Sequence, residues 1–134
     1  MKICLTAALA VFLLALAGPG AAAGEDGNAA AGARVWRTCS ACHTIAPGEP
    51  HRAGPNLRGI VGALAATRSG YAYSAALRSA NLVWDRQTLD AWLTRPQALV
   101  PGNRMTFAGL ARAEDRADVI AYLRATGPET TGVR

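Results

Sequence analysis

The chain has 134 residues, 14 Lys or Arg against 9 Asp or Glu for a formal charge of +5, and 51% hydrophobic residues. That length suits one domain and not two. With no Lys/Arg cluster and no recognition-helix motif, the mild basicity excludes nucleic acid as partner and leaves solubility or an acidic protein partner as its meaning.

Residues 1–23 read as a secretory signal peptide. Lys2 is a short basic start, Ile3 to Ala17 is apolar, Gly18-Pro19-Gly20 breaks the run, and Ala21-Ala22-Ala23 is an A-x-A cleavage signal. An uncleaved anchor is the alternative, but the apolar run falls short of the roughly 20 residues of a membrane span. Cleavage after Ala23 leaves 24–134 as the domain, an exported, periplasmic monomer without stable membrane insertion. It also removes Cys4 and the sole lysine, so every remaining cationic side chain is arginine.

A polar lead, Gly24 to Asn28, precedes a predicted helix from Ala29 to Cys39, capped by Asn28, with Gly32, Val35 and Trp36 on its packing face. The helix runs into Cys39-Ser40-Ala41-Cys42-His43. Two thiols three residues apart and an adjacent imidazole form the C-x-x-C-H run of a c-type haem attachment site. Each sulfur can add to one haem vinyl group, and His43 can then offer a nitrogen to the iron. A zinc knuckle needs four ligands, and outside this motif only His51 and the distant Cys4 remain. A thioredoxin-like redox pair belongs in a βαβ pattern, which is absent. With both mature cysteines in the motif, no disulfide can staple so small an exported domain. A covalently held haem would supply the core instead.

Thr44 to Pro55 carries Pro47, Gly48, Pro50, Gly54 and Pro55 and reads as loop, and the chain stays turn-rich through Ser69-Gly70. Ser74 to Ala80 is a short helix with a serine cap. A longer one starts at Asp85, with Leu89, Trp92 and Leu93 at i, i+3, i+4, and Pro96 ends it. Ala98 to Gly102 is a turn. The last helix spans Glu114 to Ala125, with Val119, Tyr122 and Leu123 as its inner face and Gly127-Pro128 as its stop. No strand pattern is convincing. Helices on long loops make a poor core alone and a sensible one around a haem.

Methionine can be the second iron ligand, and Met/His ligation raises the potential. Met105 is the only methionine of the mature chain, and it sits in a loop stiffened by Pro101-Gly102 rather than on a helical stripe. A core gap-filling role is the plain alternative. His51, eight residues after His43 in the Pro/Gly-rich stretch, is the rival ligand.

From Gly32 to Gly127 the chain resembles the class I cytochromes c, above all the bacterial cytochrome c2 and mitochondrial cytochrome c group. The likeness rests on Gly32-Ala33-Arg34-Val35-Trp36 facing Tyr122, on Gly54-Pro55-Asn56-Leu57, on Gly70-Tyr71-Ala72-Tyr73-Ser74 with Trp84, and on Pro96 followed by Val100 to Phe107. The resemblance implies an all-α fold, three main helices and one or two short ones wrapped around one covalently attached haem c. It implies thioethers at Cys39 and Cys42, axial ligation by His43 and Met105, and a His43 ring bonded to the Pro55 carbonyl. Tyr73, Ser74 and Trp84 would face the haem propionates, and Asn103, where a threonine is common, the haem pocket. Trp92 takes the place of an aromatic near the Met sulfur. The departures include Ala63 for a common arginine and Leu77 for a common asparagine. Thr38 and Gln97 stand where mitochondrial relatives carry docking lysines. Arg52, Arg104 and Arg112 are the candidates to rebuild a cationic ring.

The function implied is one-electron transfer through the haem edge near the thioethers and Phe107, not enzyme catalysis. Partners would be redox proteins such as a cytochrome bc1 complex, a terminal oxidase or a reaction centre, docked through a mildly basic face. The alternatives are a dedicated cytochrome subunit of a periplasmic dehydrogenase and a haem enzyme or gas-binding cytochrome with an open iron position.

Overall fold

The computed structural model describes residues 26–127. The expected signal peptide and its cleavage site lie outside them. Among the described residues five helices follow in order: α1 (Ala29–Cys39), α2 (Ala75–Ser79), α3 (Arg86–Thr94), α4 (Pro96–Leu99) and α5 (Ala113–Ala125). α1 and α3 start where a side-chain oxygen accepts one of the first N–H groups, and α5 where two acids lie at the positive end of the helix dipole. Asn28 accepts from Ala31 N–H at 3.0 Å, Asp85 from Thr88 N–H at 2.7 Å, and Glu114 and Asp115 sit in the first turn of α5.

Pro96, expected to end a helix, also begins one. Its fixed φ and missing N–H suit the first helical position, so the stretch read as turn from Ala98 starts inside α4. The turn proper is Pro101-Gly102, with Gly102 at φ +83°. Among the described residues the strand-like pairing is one isolated antiparallel bridge, Leu64 to Val83.

α1 and α5 cross closely because Gly32 has no side chain. A Cβ there would lie 2.0 Å from Asp118 O and 2.8 Å from Tyr122 Cβ. Trp36 and Tyr122 stack beside the crossing with ring centroids 6.0 Å apart. The buried Asp118 accepts the Asn28 N–H at 2.7 Å, fastening the start of α1 to the middle of α5. The inner face of α5 is thus Val119, Ile120 and Leu123, while Tyr122, expected there, is half-buried against Trp36. Gly32→Val should therefore lower holoprotein stability by about 3 kcal/mol, the upper end for overpacking, because backbone and not a movable side chain blocks the added group. The denaturation midpoint checks this, and a midpoint equal to the parent's would mean the helices can separate without loss.

α5 also packs on α3, tied by the Arg116–Asp90 ion pair at 2.8 Å, whereas the backbones of α1 and α3 stay apart. The buried residues of α3 (Leu89, Trp92, Leu93) and of α5 thus share a space with α1 that the three helices do not fill by themselves. Among the described residues no helix is long and apolar enough to cross a membrane.

Candidate functional site

That space is a cavity of about 280 Å³. Cys39 reaches it from the end of α1, and Cys42 and His43 from the turn that follows, where Cys42 N–H and His43 N–H both bond back to Cys39 O at 3.0 and 2.9 Å. This tight turn brings both thiols and the imidazole to one wall. Burial pushes the Cys39 thiol up to about 11, so it is held as the neutral S–H, while Cys42 is exposed.

His43 is fixed from behind. Its Nδ1 donates to Pro55 O at 2.8 Å, which leaves Nε2 as the nitrogen with a free lone pair. Burial lowers the His43 pKa, outweighing the Pro55 hydrogen bond that raises it. The ring is thereby kept in the neutral form a metal ligand requires. Gly54 packs directly on this ring: a Cβ there would lie 2.3 Å from Cε1 and 2.7 Å from Nε2.

Met105 lines the same cavity from the segment between α4 and α5. Asn103 braces it. The buried Asn103 side chain donates to Val100 O at 2.8 Å and accepts the Met105 N–H at 2.9 Å, and Gln97 Nε2 holds Asn103 O at 2.9 Å. Asn103 does line the cavity, but its amide is spent on the loop that carries Met105. His51 lines no part of this cavity, and both its ring nitrogens are engaged elsewhere, Nδ1 by Asn56 N–H and Nε2 by Ser69 O, each at 2.9 Å.

Tyr73, Ser74 and Trp84 all line the cavity, with Tyr73 and Trp84 buried. Burial raises the Tyr73 hydroxyl above its ordinary value, so it stays a donor at neutral pH. Ser74 also caps α2, accepting Leu77 N–H at 3.1 Å, and its own hydroxyl proton remains to be donated. Trp84 meets Trp92 edge to face at 5.2 Å. The Tyr73, Ser74 and Trp84 donors, two thiols, one imidazole and one thioether are therefore set in a wall whose apolar part includes Trp36, Leu57, Ile60, Leu89, Leu93 and Val119. Such a set fits a large flat apolar ring with a central metal and two carboxylates. Among the described residues no cluster of three or more His, Cys, Asp or Glu makes a cage for a bare metal ion.

At the rim, Arg104 lines the cavity and bonds to Ala72 O, and Arg52 Nη1 donates to Ser40 O at 3.1 Å, between the two thiols. Arg112 behaves differently. It pairs with Glu114 at 2.6 Å and Asp115 at 3.7 Å, so its charge is neutralised and it does not join a cationic ring.

Sequence reasoning gave no role to Gly54, Asn56 or Asp118. The Gly-Pro step after the attachment motif was the available signal for Gly54. Asn56 gave none: its buried amide ties Ala46 O, Glu49 O and Arg58 N–H together, which depends on how the loop closes.

The sequence profile of the family described as Cytochrome c matches residues 29–127. Cytochrome c of Cannabis sativa is 41% identical over 99 residues, covering 73% of this chain and 89% of the relative. That of Gossypium barbadense is 43% identical over 99 residues, with the same coverages of 73% and 89%. Cytochrome cH from Methylobacterium extorquens superposes with a TM-score of 0.70 at 42% identity, covering 74% of this chain and 99% of that one. The chain belongs to the cytochrome c family and is an electron carrier that holds one covalently attached haem c.

Proposed function

We propose that this protein is a periplasmic one-electron shuttle in which Cys39 and Cys42 carry the haem thioethers and His43 and Met105 are the axial ligands. The observation behind the assignment is that the one free imidazole nitrogen, Nε2 of His43, and the one thioether among the described residues, Met105, line the same cavity while His51 is committed elsewhere. When bound, haem supplies a one-electron ferrous/ferric couple. His43 is held by Pro55 and Gly54, and Met105 by Asn103 and Gln97, so the ligands need not move when charge changes. With His43 and Met105 both given to the iron, no ligand position would remain for a substrate, which sets this reading against an enzyme. Trp84, Trp92 and Leu89 exclude water from the centre, and the exposed Cys42 marks the edge where a partner can approach. The leader, residues 1–23, would direct export and be cleaved after Ala23.

Met105→Ala tests the ligand. Carbon monoxide should then bind the reduced protein readily, the ferric near-infrared charge-transfer band should vanish, and the potential should fall. An unchanged band in the variant would show that sulfur was never bound, and ready carbon monoxide binding by the parent would favour the open-site reading.

Docking rests on Arg52 and Arg104 at the rim. Exposed charges are screened over roughly 8 Å at physiological ionic strength. Second-order electron-transfer rates with an acidic partner, such as a cytochrome bc1 complex, terminal oxidase or reaction centre, should therefore fall as salt rises. Arg52→Gln and Arg104→Gln should flatten that dependence, and Arg112→Gln should not. A flat profile in the parent would leave the net charge as a matter of solubility.

A further inference from the structure

A second cavity, about 390 Å³, opens beside the 44–59 loop and shares no lining residue with the haem cavity. Two half-buried guanidiniums line it, Arg58 and Arg68. Each is braced by a backbone carbonyl: Arg58 Nη1 donates to Thr126 O at 3.1 Å, and Arg68 Nη2 to Arg58 O. Among the described residues neither pairs with a carboxylate, although Arg112, Arg116 and Arg124 all do. A guanidinium presents five N–H donors, so one brace on each leaves most of its fork available.

The other polar walls do not cancel this charge. His51 accepts at Nδ1 from Asn56 N–H and donates at Nε2 to Ser69 O, so it has no nitrogen to spare for a ligand. Among the described residues Glu49 is the single carboxylate on the wall. Its Oε2 accepts from Ile45 N–H at 3.2 Å and Ala46 N–H at 2.9 Å, which turns it toward its own turn. At Gly48, on the same wall, nothing lies within 4 Å of where a Cβ would stand. Two positioned cations therefore face an open concavity against one engaged anion.

We propose that this cavity binds a small phosphate-type oxyanion, gripped between Arg58 and Arg68, as a site separate from electron transfer. Planar guanidinium forks match tetrahedral oxyanions two bonds at a time, which a point charge cannot do. A concave site between two loops admits a free phosphate group better than it does a flat membrane surface. Occupancy would have a structural effect. Arg58 lies three residues after Pro55, which holds His43, and Arg68 leads into Tyr71 to Ser74, which line the haem cavity. An oxyanion on both arginines bridges the two segments that close over the haem, and a ligand that binds only the folded state stabilises it by mass action.

The test uses the full holoprotein, titrated calorimetrically with inorganic phosphate and with pyrophosphate at constant ionic strength in chloride. Saturable one-to-one binding is expected, accompanied by a rise in Tm. Arg58→Gln and Arg68→Gln should each weaken binding about tenfold or more and abolish the rise in Tm, since each removes hydrogen bonds to a charged group. Arg68→Lys should fall between parent and Arg68→Gln. Arg86→Gln, an equal loss of charge at the exposed start of α3, should leave affinity unchanged. Should Arg58→Gln fail to fold, the two Arg68 variants still decide. Absence of saturation, or equal weakening in all the Gln variants, would overturn the site in favour of diffuse charge. Binding to phosphatidylglycerol vesicles without binding of free phosphate would overturn it in favour of a membrane surface.

Discussion

Cys39→Ser and Cys42→Ser together should reduce recovered holoprotein at least tenfold, with most of the remaining chain unfolded or degraded. The cause is the shape of the core. α5 packs closely on α1 and α3, but the backbones of α1 and α3 stay apart, and Trp36, Ile60, Trp84, Leu89, Trp92, Leu93, Val119 and Leu123 all face the cavity between them. Filling that space with water or leaving it empty forfeits the contacts of nearly every large buried side chain. Deleting a single buried leucine costs about 2–5 kcal/mol, and here many side chains lose a partner at once, against a total stability of about 5–15 kcal/mol. Covalent attachment keeps the haem from leaving when the chain opens, so the thioethers act on the folded fraction as well as on retention. The single variants should be intermediate, Cys39→Ser the more damaging because Cys39 is buried further than Cys42. Haem absorbance against total protein in cell extracts reads the effect. If the double variant accumulates as normally folded holoprotein, the cysteines are not the anchor.

The order of helices and the attachment motif were legible in the sequence because they depend on short-range chemistry. Asn28, Ser74 and Asp85 cap the helices they were expected to cap, since a cap needs only the two or three residues that follow it. Pro96 shows the limit. Its effect on the residue before it could be read, but whether the chain resumes a helix after it depends on Val100 being drawn into the core. Asp118 shows it further. A carboxylate in the middle of a helix reads as surface, and becomes buried because an N–H ninety positions earlier in the chain arrives beside it. Arg112 was read as one of three equivalent rim cations, yet two acids at the start of α5 neutralise it, a local pairing that the sequence did contain. The cavity between Arg58 and Arg68 could not have been found without the loops in place, because nothing in their spacing brings the two side chains to one wall.

Gly54→Ala should disturb the iron centre more than any other single methyl group added to the 44–59 loop. The new Cβ would fall on the His43 ring, 2.3 Å from Cε1, 2.6 Å from Nδ1 and 2.7 Å from Nε2. Real carbon contacts do not come so close, so either the ring tilts or residues 53–55 retreat. Both responses strain the 2.8 Å hydrogen bond from Nδ1 to Pro55 O, which sets the tautomer and orientation of the imidazole. Overpacking of this kind costs about 1–3 kcal/mol, and the altered hydrogen bond should shift the reduction potential and the low-spin ferric electron paramagnetic resonance signal together. Gly48→Ala is the matched control. It stands in the same loop at φ +72° with nothing within 4 Å of the added Cβ. Its penalty is backbone strain alone, about 1–2 kcal/mol, and it should leave potential and spectrum as they were. Loss of stability is thus common to both variants, while the change at iron belongs to Gly54→Ala. If both variants lose stability and neither moves the potential or the signal, His43 is not the imidazole on the iron, or its ring is free to move without consequence.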